Sequence, residues 1–203
     1  MDLDAYGRLY GSHDGIDDLG IGGTNEREIR IRPGLSAEEV YRKLPSASHF
    51  EYAGYLTKTR IRYAEYSDTF SSGVNSKTYT FHSHPTGLGI GDPDVPSNLD
   101  VYGFLKWRHL RAIMVGKELI WVMEKTRRTS QVIRRLAEWE AVHMVPEMKR
   151  HFAESGELGK EAYLASLLRI LGLKWPTSPR AFKNRWPEFL RDQLQIEVTL
   201  FRR

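Results

Sequence analysis

Cysteine is absent from the 203-residue chain, so disulfides and thiolate chemistry are excluded, and any metal must be held by His, Asp, Glu or water. No run approaches the roughly 18 consecutive apolar residues of a membrane span. With 40% hydrophobic and 28% charged residues, the composition is that of an ordinary soluble globular chain, and no membrane partner is expected. The opening MDLDAYGRLYGSHDG has neither a basic n-region nor an apolar h-region, so an intracellular, cytoplasmic location is expected. Several active-site signatures are missing too. There is no H-E-x-x-H, no P-C-x-x-C of the nucleobase deaminases, and no Lys-Ser/Thr after the GIGG of residues 20–23 to make a phosphate loop. The chain is also short for a (β/α)8 barrel of about 250 residues.

Charge is present but unevenly spread. The net +4 divides into 15 basic against 17 acidic residues over 1–125, and 15 against 9 over 126–203. The basic surplus therefore belongs to the C-terminal part, where it offers a surface to an acidic protein partner. A nucleic-acid partner is the second reading of the same surplus. Acidic residues are interspersed throughout, which favours a solvated helical face over a phosphate-binding patch. The tryptophans at 107, 121, 139, 175 and 186 are read as core or interface anchors rather than a base-stacking platform.

Three segments emerge along the chain. Residues 1–34 are Gly- and Asp-rich without apolar period over 11–28, and read as a flexible N-terminal arm with a short strand over 28–32. Residues 35–125 open on a capping-box pattern, Ser36 with Glu39, which predicts a helix stopped by Pro45. Short aromatic and β-branched runs at 50–57, 60–66, 77–84, 110–115 and 119–124 then predict strands, and 97–107 predicts a helix. Residues 126–203 form a mostly helical extension, with helical spacing over 130–152 interrupted by Pro146, a second helix over about 157–171, and a terminal strand in QIEVTLF.

The stretch FHSHPTGLGIGDPDVPSNLD, residues 81–100, concentrates the chemistry. In a strand, side chains at i and i+2 share a face, so His82 and His84 present their imidazoles to one point. Ser97 stands where an N-cap belongs. Asp100, three positions on, lies one turn along on the same side of the helix. Two imidazoles and one carboxylate are a favoured zinc set, and three protein ligands leave the fourth tetrahedral position for water. A general base must accompany such a water. Glu51, opening FEYAGYL with Gly54 allowing close backbone approach, is preferred to Glu65 in the next strand. The blander readings are an accidental surface HxH pair, an exposed strand carboxylate at Glu51, and a Ser97–Asp100 capping box with no further role. The remaining histidines, His13, His49, His109, His143 and His151, lack partners at ligand spacing and read as surface or core residues.

Taken together, E-x-x-G-x-L at 51–56, H-S-H-P at 82–85 and S-x-x-D at 97–100 resemble the JAMM (MPN+/JAB) zinc metalloproteases, in the same chain order and over roughly residues 35–125. The resemblance implies an α/β fold, a mixed sheet flanked by helices and similar to the cytidine deaminase architecture, here with a helical C-terminal extension. It implies zinc as cofactor, with His82, His84 and Asp100 as ligands, Glu51 as the catalytic acid/base and Ser97 as oxyanion stabiliser. The expected reaction is hydrolysis of isopeptide or peptide bonds at ubiquitin or ubiquitin-like tails. Eleven residues separate Pro85 from Ser97, more than in eukaryotic members, and VPSNLD looks more like prokaryotic JAB and RadC-like proteins. The lengthened loop brings Asp92 and Asp94 into view as alternative ligands. Two rival readings accompany this one: a RadC-like or mobile-element protein acting around DNA, and a non-catalytic MPN scaffold.

Overall fold

Short runs of β-branched and aromatic residues bounded by Gly, Ser, Asn and Lys favour strands over helices, and seven strands form among the described residues. The computed structural model describes residues 24–46, 49–66, 79–86, 93–106, 109–143 and 185–203. The strands are β1 (Thr24–Arg30), β2 (Glu51–Leu56), β3 (Arg60–Tyr66), β4 (Tyr79–Ser83), β5 (Arg111–Val115), β6 (Leu119–Lys125) and β7 (Ile196–Arg202). The described helices are α1 (Ala37–Tyr41), α2 (Asn98–Lys106), α3 (Thr129–His143) and α4 (Trp186–Leu194). One sheet runs in the order β1-β3-β2-β4-β5-β6-β7. Pairing is antiparallel from β1 through β3 and β2 to β4, then parallel between β4 and β5. The architecture is a mixed α/β sheet with helices.

One departure from the sequence expectations lies at the first edge of the sheet, whereas the strand expected in QIEVTLF forms as β7. The strand expected over 28–32 forms instead over Thr24–Arg30, inside the stretch read as a flexible arm. It is polar except for Ile29, which packs against the core, so no apolar alternation announces it. Ionic cross-strand contacts line it, with Arg27 to Glu65 at 3.0 Å and the pairs Arg60–Glu28 and Arg62–Glu26 each at 3.5 Å. Such exposed pairs stabilise by about 1 kcal/mol or less each. A bulge between Thr24 and Arg27 places Asn25 at φ 53°, a conformation asparagine tolerates. At the other edge, the terminal strand of the C-terminal segment is a member of the sheet. The helix expected over about 157–171 lies outside the described residues.

The chain clusters into two compact units, residues 1–94, 107–122 and 199–203 in the first, and residues 95–106 and 123–198 in the second. In the first, one sheet face carries a core of Tyr52, Leu56, Ile61, Tyr63, Phe81, Ile113, Val115, Ile120 and Val122, joined by Tyr41 and Leu44. Burying side chains of this size stabilises by about 1.5–3 kcal/mol each. The rings of Tyr52 and Tyr63 meet edge to face at 5.3 Å. Gly54 is required between them in sequence: a Cβ there would stand 2.0 Å from the Arg62 carbonyl oxygen of β3. In the second unit, Val101, Phe104 and Leu105 of α2, Ile133 and Leu136 of α3, and Trp186, Phe189, Leu190 and Leu194 of α4 are buried. The Thr126 and Thr129 hydroxyls both donate to the Gln195 carbonyl, fastening the start of α3 to the turn between α4 and β7. Trp121 and Trp186 are both buried, as expected of core anchors.

Candidate metal centre

β4 forms because YTFHS alternates a buried Phe81 with polar neighbours between two other strands, β2 and β5. Its pleat sends Phe81 to the core face and His82 to the other. His84 follows the last strand residue, yet its amide donates to the Val115 carbonyl at 3.0 Å, so the extended course along β5 continues and His84 keeps the face of His82. The two Nε2 atoms stand 3.2 Å apart, with ring centroids at 5.1 Å. Both rings are half-buried.

Register then distinguishes the two glutamates. On β2, Ala53 is the partner of His82, so it shares the histidine face. Glu51, two residues earlier, lies on that face as well. Continuing the antiparallel register by two steps sets Glu51 opposite His84, where facing Cβ atoms are about 4.5–5.5 Å apart. Glu51 is buried at 9% exposure, whereas a solvated strand carboxylate would stand in water. Glu65 pairs with Tyr52, a core-face residue, and therefore projects from the opposite side of the sheet. Its carboxylate is occupied there by Arg27 and by Asn25 at 2.7 Å.

Ser97 and Asp100 open α2 as a capping box. The Asp100 amide donates to Ser97 Oγ at 3.2 Å, and the Ser97 amide donates to Asp100 Oδ2 at 2.6 Å. A carboxylate offers about four lone-pair sites, so capping leaves capacity for a cation. One ligand atom from each of His82, His84 and Asp100 lies within 4.8 Å of the others, and the three could hold a metal ion. Farther along α2, burial pushes the Lys125 ammonium of β6 down to about 7, and its Nζ stands 4.9 Å from the centroid of Phe104.

Of the two alternative ligands, Asp94 is engaged elsewhere. Asp94 is buried, and its Oδ1 accepts the amides of Glu118 and Leu119 at 2.6 and 3.0 Å, while its carbonyl accepts Trp121 Nε1 at 2.6 Å. It ties the end of the long loop to the β5–β6 turn. Gly116 makes room for it, since a Cβ there would lie 2.5 Å from Asp94 Oδ1. Asp92 lies outside the described residues. Of the other histidines, His49 is exposed and His109 fully buried; His13 and His151 lie outside the described residues.

Ser83 was not singled out from the sequence, and Asp94, weighed there as an alternative ligand, was not read as a tie to the β5–β6 turn. Ser83, between the two histidines, has core-face parity, and a buried serine at such a position is itself the sign that its hydroxyl has a backbone partner. Compared with known proteins, the chain matches no protein-family model, no curated protein and no solved structure. Among the described residues, no helix is long and apolar enough to cross a membrane.

Proposed function

We propose that this chain is a zinc-dependent metallopeptidase of the JAMM (MPN+/JAB) type, its mixed sheet an MPN-like one, hydrolysing isopeptide or peptide bonds at ubiquitin-like tails. The observation that carries the reading is the grouping of His82, His84 and Asp100 within 4.8 Å. Zinc suits the donors: in a tetrahedron with Zn–N bonds of about 2.0–2.1 Å, two nitrogens stand about 3.3–3.4 Å apart, and the imidazole nitrogens here are 3.2 Å apart. Two nitrogens and one carboxylate are also the ligand count of catalytic rather than structural zinc. When bound, zinc supplies Lewis acidity toward a carbonyl and lowers the pKa of water to about 7.

The chain's own groups do the rest. Glu51, in the row of His84, takes the proton of the attacking water and returns it to the leaving amine, a role that typically contributes about 10²–10⁴-fold. Its burial keeps the carboxylate out of bulk solvent. Ser97 Oγ accepts the Asp100 amide and keeps its own proton to donate, so it is suited to the negative charge that develops on the carbonyl oxygen. The basic surplus beyond residue 125 is assigned to a protein partner or substrate surface.

The test is elemental analysis together with cleavage of chain-specific di-ubiquitins and prokaryotic ubiquitin-like fusions, with and without chelator. One zinc per chain and chelator-sensitive cleavage are expected. Absence of bound metal overturns the reading. Metal binding without hydrolysis, accompanied by steeply salt-dependent DNA binding, replaces it with the nucleic-acid reading favoured by the C-terminal charge.

A further inference from the structure

The ladder between β2 and β4 runs from the Leu56–Tyr79 pair to the Ala53–His82 pair. The next two steps face Tyr52 with Ser83 and Glu51 with His84, and they lie beyond the last paired rung. At the first of these steps a side chain carries the connection: the Tyr52 amide donates to Ser83 Oγ at 2.9 Å, with both groups buried. Ser83 projects to the core face, opposite to the imidazoles on either side of it in sequence. It is held from its other flank as well, since Ser83 pairs with Val115 of β5 and the His84 amide donates to the Val115 carbonyl.

We infer that Ser83 is a positioning residue for Glu51: its hydroxyl latches the start of β2 to the end of β4 and so holds the Glu51 carboxylate beside His84. This rests on the metallopeptidase reading. The histidines do not depend on the latch, because β4 is fastened to β5 along five paired residues, Tyr79 to Ser83. Glu51 is the first residue of β2 and is paired with Tyr66 of β3; on the side facing β4, the Tyr52 amide bond to Ser83 fastens this strand end. Without the hydroxyl, the buried Tyr52 amide loses its acceptor, and burying a donor without one is unfavourable enough to open the strand end. A displacement of about 1 Å at a reacting group costs on the order of 100-fold in rate.

The experiment compares Ser83→Ala, Ser83→Thr and Glu51→Gln singly, and Ser83→Ala with Glu51→Gln together, in the zinc-loaded full chain. Ser83→Ala is expected to lower kcat by about 10–100-fold with KM and zinc affinity within about threefold of the parent, and Ser83→Thr, which keeps the hydroxyl, to restore most of the rate. In the Glu51→Gln background Ser83→Ala should change kcat by less than about twofold, because its effect runs through that carboxylate. Full additivity, or an unchanged kcat in Ser83→Ala, overturns the inference while leaving the peptidase reading intact. Exchange of the Tyr52 amide, followed by NMR, needs no substrate: protection should fall at least tenfold in Ser83→Ala and return in Ser83→Thr, and unchanged protection overturns the latch whatever the activity. A parent that binds no metal overturns the underlying reading instead. Should Ser83→Ala fail to fold, Ser83→Cys, near in size with a weak sulfur acceptor, carries the same comparison.

Discussion

Helices α1 and α2 begin with the same device. Ser36 and Glu39 exchange hydrogen bonds at the start of α1, the Ser36 amide donating to Glu39 Oε2 at 2.7 Å and the Glu39 amide to Ser36 Oγ at 3.3 Å. Ser97 and Asp100 do likewise at α2, at 2.6 and 3.2 Å. The first box is exposed, and its carboxylate has an ordinary surface role. The second is half-buried, and its carboxylate is grouped with two imidazoles. A local motif therefore states how a helix starts and leaves open what its carboxylate serves. The shorter side chain at the second box is consistent with the difference: aspartate keeps the carboxylate close to the helix axis, where it caps and still offers an oxygen outward.

Removing each box's acid gives the widest separation. Asp100→Ala should weaken zinc binding by about 100-fold or more, since a ligand is lost outright and even outer-shell partners typically contribute about 10–100-fold. Glu39→Ala should leave zinc binding unchanged. Competition against a chromogenic chelator measures both, and equal zinc affinity in the two variants would break the comparison. The pair Glu51→Gln and Glu65→Gln poses the same question for the strands. Glu51→Gln should lower the cleavage rate by about 10²–10⁴-fold with zinc retained. Glu65→Gln should leave the rate alone and loosen only the exposed contacts to Arg27 and Asn25.

The two serines separate by less. Ser97→Ala should lower kcat by about 10²–10³-fold, the range for losing one oxyanion donor, and stability by about 1 kcal/mol for the lost cap. Ser36→Ala should lower stability by a similar amount and leave kcat unchanged. Denaturant melts and cleavage rates on the same samples distinguish these outcomes, and a Ser97→Ala rate equal to the parent would reduce Ser97 to a cap alone.

What was legible in the residues follows from how local each feature is. The i, i+2 parity of His82 and His84 and the three-residue step from Ser97 to Asp100 are fixed by strand and helix geometry, so both appear in a sequence. The strands at 60–66 and 119–124 likewise carry their own signal, an apolar alternation in the first and a continuous apolar run in the second. Polar β1 was displaced because an exposed edge strand needs no apolar face, and its partner is known only once β3 lies beside it. Which glutamate shares the histidine face is a register fact, since slipping β3 by one residue would exchange the faces. The work of Asp94 is non-local in the same sense, spanning 24 residues to the Glu118 amide.

The smallest expected effect is in acid. The Ser36 amide, and then its hydroxyl, hold the Glu39 carboxyl below its ordinary value of 4.5. A carboxyl whose folded value is depressed stabilises the fold fully above its unfolded value, and that contribution is lost as pH falls through the folded one. The Glu39 contribution should therefore be complete above about pH 4.5 and fade below it. Thermal melts of the parent and of Glu39→Gln, taken from pH 6 downward, should diverge most at the top of that range and converge in acid. Because this box is exposed, the divergence should also shrink in high salt, as the minor attractions of Lys43 and Arg42 are screened. Parallel curves at every pH would mean that the Glu39 carboxylate contributes nothing as a charged cap, and the two boxes would then differ in local strength as well as in what their acids serve.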